Sequence, residues 1–397
     1  MPQIIGFDSP ATGHGMRMRR LWVSARLAWR ILVHEKGRTA LALAGVFIAI
    51  LLVFIELGFF IAVPQGGMLV YDHMQFDLLL VSTDYQFQAQ PWQFPRARLT
   101  DATSVAGVTR ATPIYFAGAS WQDPSGGLRL DVFLIGCNPA DHPFAVPDIE
   151  RQQDILAEAD TMLMDDSTRS IFGPLTTGRH VNISDRTMVI GGQYHLGTGF
   201  LGIGVALMDE ANFFRVTHRH DDPVNLGLIT LAPGADADKV ASDLRQKLPN
   251  DVQVFTRSTL TAQENAYWTT RTSVGLIFGS GLVVSLIVGL MVLYQTLATQ
   301  IARNLPEFAT LKAIGYGDAS LAAVVIIEAA IIVIAAFIPA ALAAMEVYAV
   351  IRSETLLPVA FTASNVGGVL AAVLIMSVGS AFLSMGNLRR ADPAEIF

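Results

Sequence analysis

The chain has 397 residues, of which 15% are charged and 52% apolar, with a formal net charge of -7. A soluble globular domain carries roughly a quarter charged residues, so this composition, with a mean hydropathy of +0.45, argues against an ordinary soluble protein. The one basic run is short and adjoins an apolar segment, which argues against nucleic acid as a partner. The single cysteine, Cys137, excludes an intrachain disulfide and fits no metal-ligand spacing, so it reads as a small buried apolar residue.

In chain order, residues 1–38 read as a cytoplasmic N-terminus. Residues 1–15 are rich in Gly, Pro and small side chains and are expected to be disordered. Between 17 and 38 lie seven Lys or Arg and one acid, Glu35. Within that stretch Trp22, Ala25, Trp29 and Leu32 recur at three- and four-residue steps, with Arg26 and Arg30 on another face. That pattern predicts an amphipathic helix lying on the membrane surface.

A helix rises about 1.5 Å per residue, so about 20 apolar residues cross the hydrocarbon core. Residues 39–63 meet this as span one, interrupted by Glu56, and are too long and too far into the chain for a signal peptide. Three more spans crowd the C-terminal third: 271–302, 319–345 interrupted by Glu328, and 366–386. The basic cluster before span one, Arg303 and Lys312 after span two, and Arg389 and Arg390 after span four place both termini in the cytoplasm. The segment 64–270 is then extracytoplasmic, 346–365 a short outer loop and 387–397 a cytoplasmic tail.

Segment 64–270 holds 24 Asp or Glu and 14 Lys or Arg. Strands are predicted at 77–82, 109–116, 128–136, 226–231 and 252–256, with helices at 100–106 and 235–248. The middle, 140–223, is less regular: an acidic stretch from Asp148 to Asp166, then short strands at 179–183, 187–191 and 204–208. The reading is an α+β domain built from both ends of the segment around an inserted middle part. His195, His218 and His220, with Asp221 and Asp222, read as polar surface loops and not as a metal site, which needs a ligand set of defined count and geometry. No Gly-x-Ser-x-Gly and no Gly-x-x-x-x-Gly-Lys-Ser/Thr occurs, so the chain offers no P-loop and no catalytic residue is assigned.

Span two carries Gly275 and Gly279 in one small-residue register and Gly281, Ser285 and Gly289 in another. Such steps let helix backbones approach closely. They fit a dimer seam or packing within one chain, and the sequence leaves both open. The carboxylates of Glu56 and Glu328 are expected to face protein or water. A proton relay is one reading of them; the favoured one has Glu328 pairing with a neighbouring helix toward the cytoplasmic side and Glu56 lying near the outer interface.

The segment 303–318 is amphipathic. Leu305, Phe308, Leu311 and Ile314 share one helical face, with Glu307 and Lys312 elsewhere, and Gly315 and Gly317 end it. A short helix of this kind offers an ATPase a ligand of the helix-in-groove type. The run Leu305-Pro306-Glu307-Phe308-Ala309-Thr310-Leu311-Lys312-Ala313-Ile314-Gly315, with Tyr294-Gln295 before it and Asp392-Pro393-Ala394-Glu395 at the end, resembles the FtsX/MacB-type permeases of ABC transporters, most closely the DevC subgroup. Span order and lengths agree with that resemblance over nearly the whole chain.

The resemblance implies a MacB-like fold. Four transmembrane helices are arranged one plus three, with an α+β extracytoplasmic domain inserted between helices 1 and 2. It implies a homodimer in the bacterial inner membrane, coupled through 305–315 to a separate ABC ATP-binding subunit that holds the ATP and Mg. This chain itself would bind no cofactor or metal and would not be an enzyme. A periplasmic membrane-fusion adaptor and an outer-membrane tunnel protein complete such an efflux machine, which works by mechanotransmission among membrane lipids and in the DevC case exports a glycolipid. Two other functions share the architecture: FtsX-like regulation of cell-wall hydrolases and LolC/LolE-like lipoprotein release.

Overall fold

A computed structural model describes residues 36–389 apart from 198, 200, 220–222, 304, 307–309, 311–317 and 356. The chain divides into two compact units. One holds residues up to Phe60, Ile277–Val350 and Val359 onward; the other holds Ile61–Leu276 and Ile351–Pro358. The predicted interfacial helix at 21–33 lies outside the described residues.

The second unit is built on a mixed sheet of nine strands, in the order β11-β1-β10-β3-β4-β8-β5-β7-β6. The strands are β1 (Leu78–Ser82), β3 (Val108–Gln122), β4 (Leu130–Cys137), β5 (Thr161–Asp165), β6 (His180–Ile183), β7 (Arg186–Tyr194), β8 (Val205–Asp209), β10 (Leu226–Leu231) and β11 (Val252–Thr256). Two-residue strands β2 (Phe94–Pro95) and β9 (Pro223–Val224) pair separately. The β4–β8 and β5–β7 pairs are parallel and the other pairs are antiparallel.

Both faces of the sheet are buried, and β1 shows why. Its side chains alternate across the pleat. Leu78 and Leu80 join one apolar cluster with Leu99, Phe213, Val240 and Leu244. Leu79 and Val81 join a second cluster with Tyr71, Met74 and Leu260. A central strand covered on both sides reads as a continuous apolar run, as Leu-Leu-Leu-Val does here.

Helices close these faces, and their ends follow local chemistry. Helix α3 (Glu210–Thr217) starts at Asp209, whose side chain accepts from Ala211 N, and ends at His218 in the left-handed conformation. Helix α4 (Ala237–Lys247) starts at Asp236, which accepts from Asp238 N and Lys239 N. Helix α5 (Arg257–Ala266) opens on a reciprocal cap between Thr256 and Thr259. Helix α2 (Ala97–Thr103) buries Leu99 and Ala102.

The middle part of the segment holds β5 to β8, which lie together at one end of the sheet order. Strands β5, β6, β7 and β8 extend the same sheet as the strands from both ends of the segment. The acidic stretch conceals β5, Thr-Met-Leu-Met-Asp, which is buried along its whole length. Its acids lie before the strand and at its end, so charge density over the window hid an apolar core.

Among the described residues four helices are long and apolar enough to cross a membrane: α1 (Lys36–His73), α6 (Ser273–Arg303), α7 (Asp318–Thr355) and α8 (Ala363–Arg389). Helix α1 runs ten residues past the expected end at 63, through Pro64, and α7, which contains Pro339, runs ten past 345, which shortens the irregular segment before α8. In the first unit Val46, Ile50 and Phe54 of α1 pack with Leu293 and Leu297 of α6, Val325, Ala329, Val333 and Ala340 of α7, and Val369 and Val373 of α8.

Candidate functional site

Among the expected coupling residues, Leu305, Pro306 and Thr310 are helical; Thr310 Oγ1 donates to Pro306 O at 2.8 Å, and Leu305 packs against the core of the first unit. Glu307, Phe308, Leu311, Lys312, Ala313, Ile314 and Gly315 lie outside the described residues.

The small residues of α6 are placed in detail. A Cβ at Gly279 would lie 3.4 Å from Phe60, one at Gly281 would meet the carboxylate of Glu56, and one at Gly289 would meet Met376 Cε and lie 3.7 Å from Ala49. Ser285 is buried and donates to Gly281 O at 2.8 Å. The second register therefore packs on α1 and α8 of its own chain. Gly275 does something local: a Cβ there would strike the carbonyls of Trp268 and Thr269. Another face of α6 stays open, with Val283, Val284, Ile287 and Met291 exposed.

Polar contacts inside the helical unit were not foreseen from the sequence. Ser380 Oγ donates to Leu290 O at 3.0 Å. One turn on, Ser384 Oγ donates to Ser380 O at 2.8 Å and lies 3.4 Å from Tyr294 O. Their signal was a serine repeat at 377, 380 and 384 in an apolar helix, a pattern that joins helices in lipid. Tyr348 OH donates to Phe54 O, and its ring lies where a Cβ on Gly58 would be. Glu328 is buried, and its Oε1 has no hydrogen-bond partner among the described residues. Glu56 lies in the Gly281 notch of α6.

In the sheet domain, His195 Nδ1 lies 2.7 Å from Asp166 Oδ1, and this bond raises the His195 pKa. His218 Nε2 lies 2.9 Å from Asp185 Oδ1, which lowers the Asp185 pKa. Both histidines are well exposed. No group of three or more His, Cys, Asp or Glu able to hold a metal occurs among the described residues. His220, Asp221 and Asp222 lie outside them. Cys137 is buried, and burial pushes its thiol pKa upward.

One buried polar cluster carried no sequence signal. Glu264 of α5 is fully buried and accepts from Tyr85 OH, which lies 2.8 Å from Tyr71 OH at the end of α1. Gln88, oriented to satisfy both ends of its amide, donates to Gly67 O (3.1 Å) and accepts from Val70 N (3.2 Å). Trp268 stands in the π-helical turn Tyr267–Arg271 that follows α5.

Residues 279–393 match the FtsX-like permease C-terminal family. No curated protein matches the chain. Among solved structures it is similar to the periplasmic region of MacB from Actinobacillus actinomycetemcomitans, at 8% identity and TM-score 0.36 over 49% of this chain and 94% of that one. It is also similar to the extracellular domain of the noncanonic ABC-type transporter YknZ from Gram-positive bacteria, at 12% identity and TM-score 0.32 over 46% of this chain and 99% of that one. Over residues 279–393, then, the chain is similar to the C-terminal part of FtsX-like permeases.

Proposed function

We propose that this chain is the membrane subunit of an ABC transporter, working with a separate ATP-binding subunit and a second copy of itself. The observation that carries the reading is the FtsX-like match over 279–393, which spans three of the four apolar helices and the amphipathic segment between the second and third. The sequence contains no phosphate-binding loop, so ATP would be held by the partner. The Leu305, Phe308, Leu311 and Ile314 stripe supplies a surface for that partner. In this reading the small-residue register of α6 belongs to the single chain. The open apolar face around Val284, Ile287 and Met291 is left for lipid or for the second copy.

The finer reading is a DevC-like exporter in the inner membrane, with the sheet domain in the periplasm meeting an adaptor and an outer-membrane tunnel. The loop from 305 to 315 and the Asp392-Pro393-Ala394-Glu395 ending support it. Purification of the tagged full chain from native membrane in mild detergent, with its partners identified by mass spectrometry, tests it. An ATP-binding subunit with an adaptor supports the exporter. An ATP-binding subunit with a cell-wall hydrolase, or with lipoproteins, moves the function to regulation or lipoprotein release. Recovery without an ATP-binding subunit overturns the transporter reading.

A further inference from the structure

We propose that Glu264, Tyr85, Tyr71 and Trp268 form a proton-operated clasp that fastens helix α5 and the turn after it to the outer end of α1, closed when the Glu264 carboxyl is protonated and loosened when it ionises. Three segments distant in sequence meet here. Residues 64–71 of α1 contribute Gly67 and Tyr71, the loop after β1 contributes Tyr85 and Gln88, and α5 with its π-helical turn contributes Glu264 and Trp268.

The packing leaves no room for a substitute arrangement. A Cβ on Gly67 would lie 2.5 Å from Trp268 Nε1 and 3.0 Å from Glu264 Oε2. Phe87 closes the cluster by stacking on Tyr267, with ring centroids 4.7 Å apart, and by meeting Trp268 edge-on at 5.4 Å.

Both helices are irregular at this level. Helix α1 contains Pro64-Gln65-Gly66-Gly67, where proline removes one backbone donor, and the side chain of Gln88 supplies bonds to Gly67 O and Val70 N. Opposite, α5 passes into a π-helical turn, a feature that marks functional bends in helices. A helix that carries a proline and a helix that passes into a π-helical turn, both held by side-chain bonds, can change angle when those bonds change.

The groups that act on Glu264 can be named. Burial is the largest influence and raises its pKa to about 7; Tyr85 OH, the Trp268 indole and the Gln88 backbone N–H act in the other direction. Tyr71 packs from α1 and Tyr267 from the π-helical turn, and burial, followed by the Glu264 charge, raises the Tyr267 pKa. Arg257, two turns earlier on α5, is committed to Tyr71 O at 3.3 Å and Met74 O at 2.7 Å and stacks over Phe76. Ionisation therefore puts a buried negative charge among phenols and indole, and it is relieved by admitting water.

The sign is fixed by linkage. Glu264 has its ordinary value of 4.5 in an unfolded chain and about 7 here, so the clasp is fully stabilised below the first value and weakens as pH rises to the second. The proposal stands on the sheet domain alone and does not depend on the transporter reading.

Hydrogen exchange on the full chain in lipid nanodiscs, corrected for intrinsic rates, tests it. Peptides covering 64–73 and 84–90 should lose about tenfold in protection between about pH 5.5 and about pH 8, the upper value being one unit past the midpoint. Peptides covering β7 should not change. Glu264→Gln should hold the low-pH protection at both values. Should that variant fail to fold, Tyr85→Phe supplies the second reading. It removes a donor that favours the ionised form and should move the midpoint upward. Wild-type protection that is equal at both pH values, a Gln variant that keeps the pH response, or a midpoint unmoved in Tyr85→Phe would overturn the clasp.

Discussion

The carboxylate of Glu56 fills the notch left by Gly281: a Cβ at 281 would strike Glu56 Oε2 and stand 2.7 Å from its Cδ. A carboxylate inside an apolar helix is costly and is tolerated where protein or water surrounds it. Here the absence of a side chain on one helix makes the space for the acid on another. Two residues that look unrelated in sequence form one packing unit, and this unit gives the first prediction.

Gly281→Ala should destabilise the helical unit by about 1–3 kcal/mol, the usual cost of forcing a methyl into a filled site. Glu56→Ala should recover most of that loss in the double variant, because the atoms struck by the new methyl are gone. A double-mutant cycle on thermal unfolding in detergent measures it. Additive losses would show that the two residues do not share the space.

The serine repeat of α8 makes a smaller and opposite kind of contact. Ser380 and Ser384 reach the carbonyls of Leu290 and Tyr294 on α6. Interhelical hydrogen bonds in lipid average about 0.6 kcal/mol, so Ser380→Ala should cost roughly that and the double alanine variant about 1 kcal/mol. Ser380→Leu should cost more than alanine, because Ser380 is completely buried and a larger side chain would part the helices. Unfolding in detergent across the three variants ranks them; a leucine variant as stable as alanine would contradict this packing.

The hairpin between β3 and β4 depends on charge. Asp123 accepts from Ser125 and meets Arg179, and these bonds hold its pKa near 2. Arg179 also donates to Phe172 O at 3.0 Å and Pro174 O at 2.7 Å. A depressed carboxylate stabilises the fold above its ordinary value of 3.8, and that stability is lost as pH falls toward about 2. Asp123→Asn should therefore lower the melting temperature at neutral pH and reduce its fall under acid. Melting curves of the full chain at several acidic pH values check it, and an unchanged acid slope would count against the pair.

The four apolar helices and the outer strands were legible because each announces itself locally. Leu226–Leu231 and Val252–Thr256 are short apolar or alternating runs bounded by turn residues, and the structure places strands over those same ranges. Strand β5 was hidden by neighbouring acids, and α3 by its low overall apolarity despite buried Phe213 and Val216. The Glu264 cluster could not be read at all. Tyr85 and Glu264 are 179 residues apart, and no local pattern records that a tyrosine and a carboxylate will meet. The Gly281 register was visible as a packing face, but its partner followed only from the assembled helices.

The coupling segment yields the prediction that bears most directly on function. Phe308 and Leu311 lie on the apolar stripe of the sequence between the second and third apolar helices. Replacing both with Asp puts two charges on a surface proposed to dock in an apolar groove, where an unpaired carboxylate is strongly disfavoured. The double variant should insert and fold as the wild type does, yet lose the ATP-binding subunit on co-purification and lose ATP-driven activity with it. Glu307→Gln should be milder, since a charge at the rim of an interface acts mainly on association rate. Quantitative co-purification, with expression and melting temperature as controls for insertion, separates the cases. Full retention of the ATP-binding subunit by the Phe308→Asp, Leu311→Asp variant would move the coupling surface elsewhere in the chain.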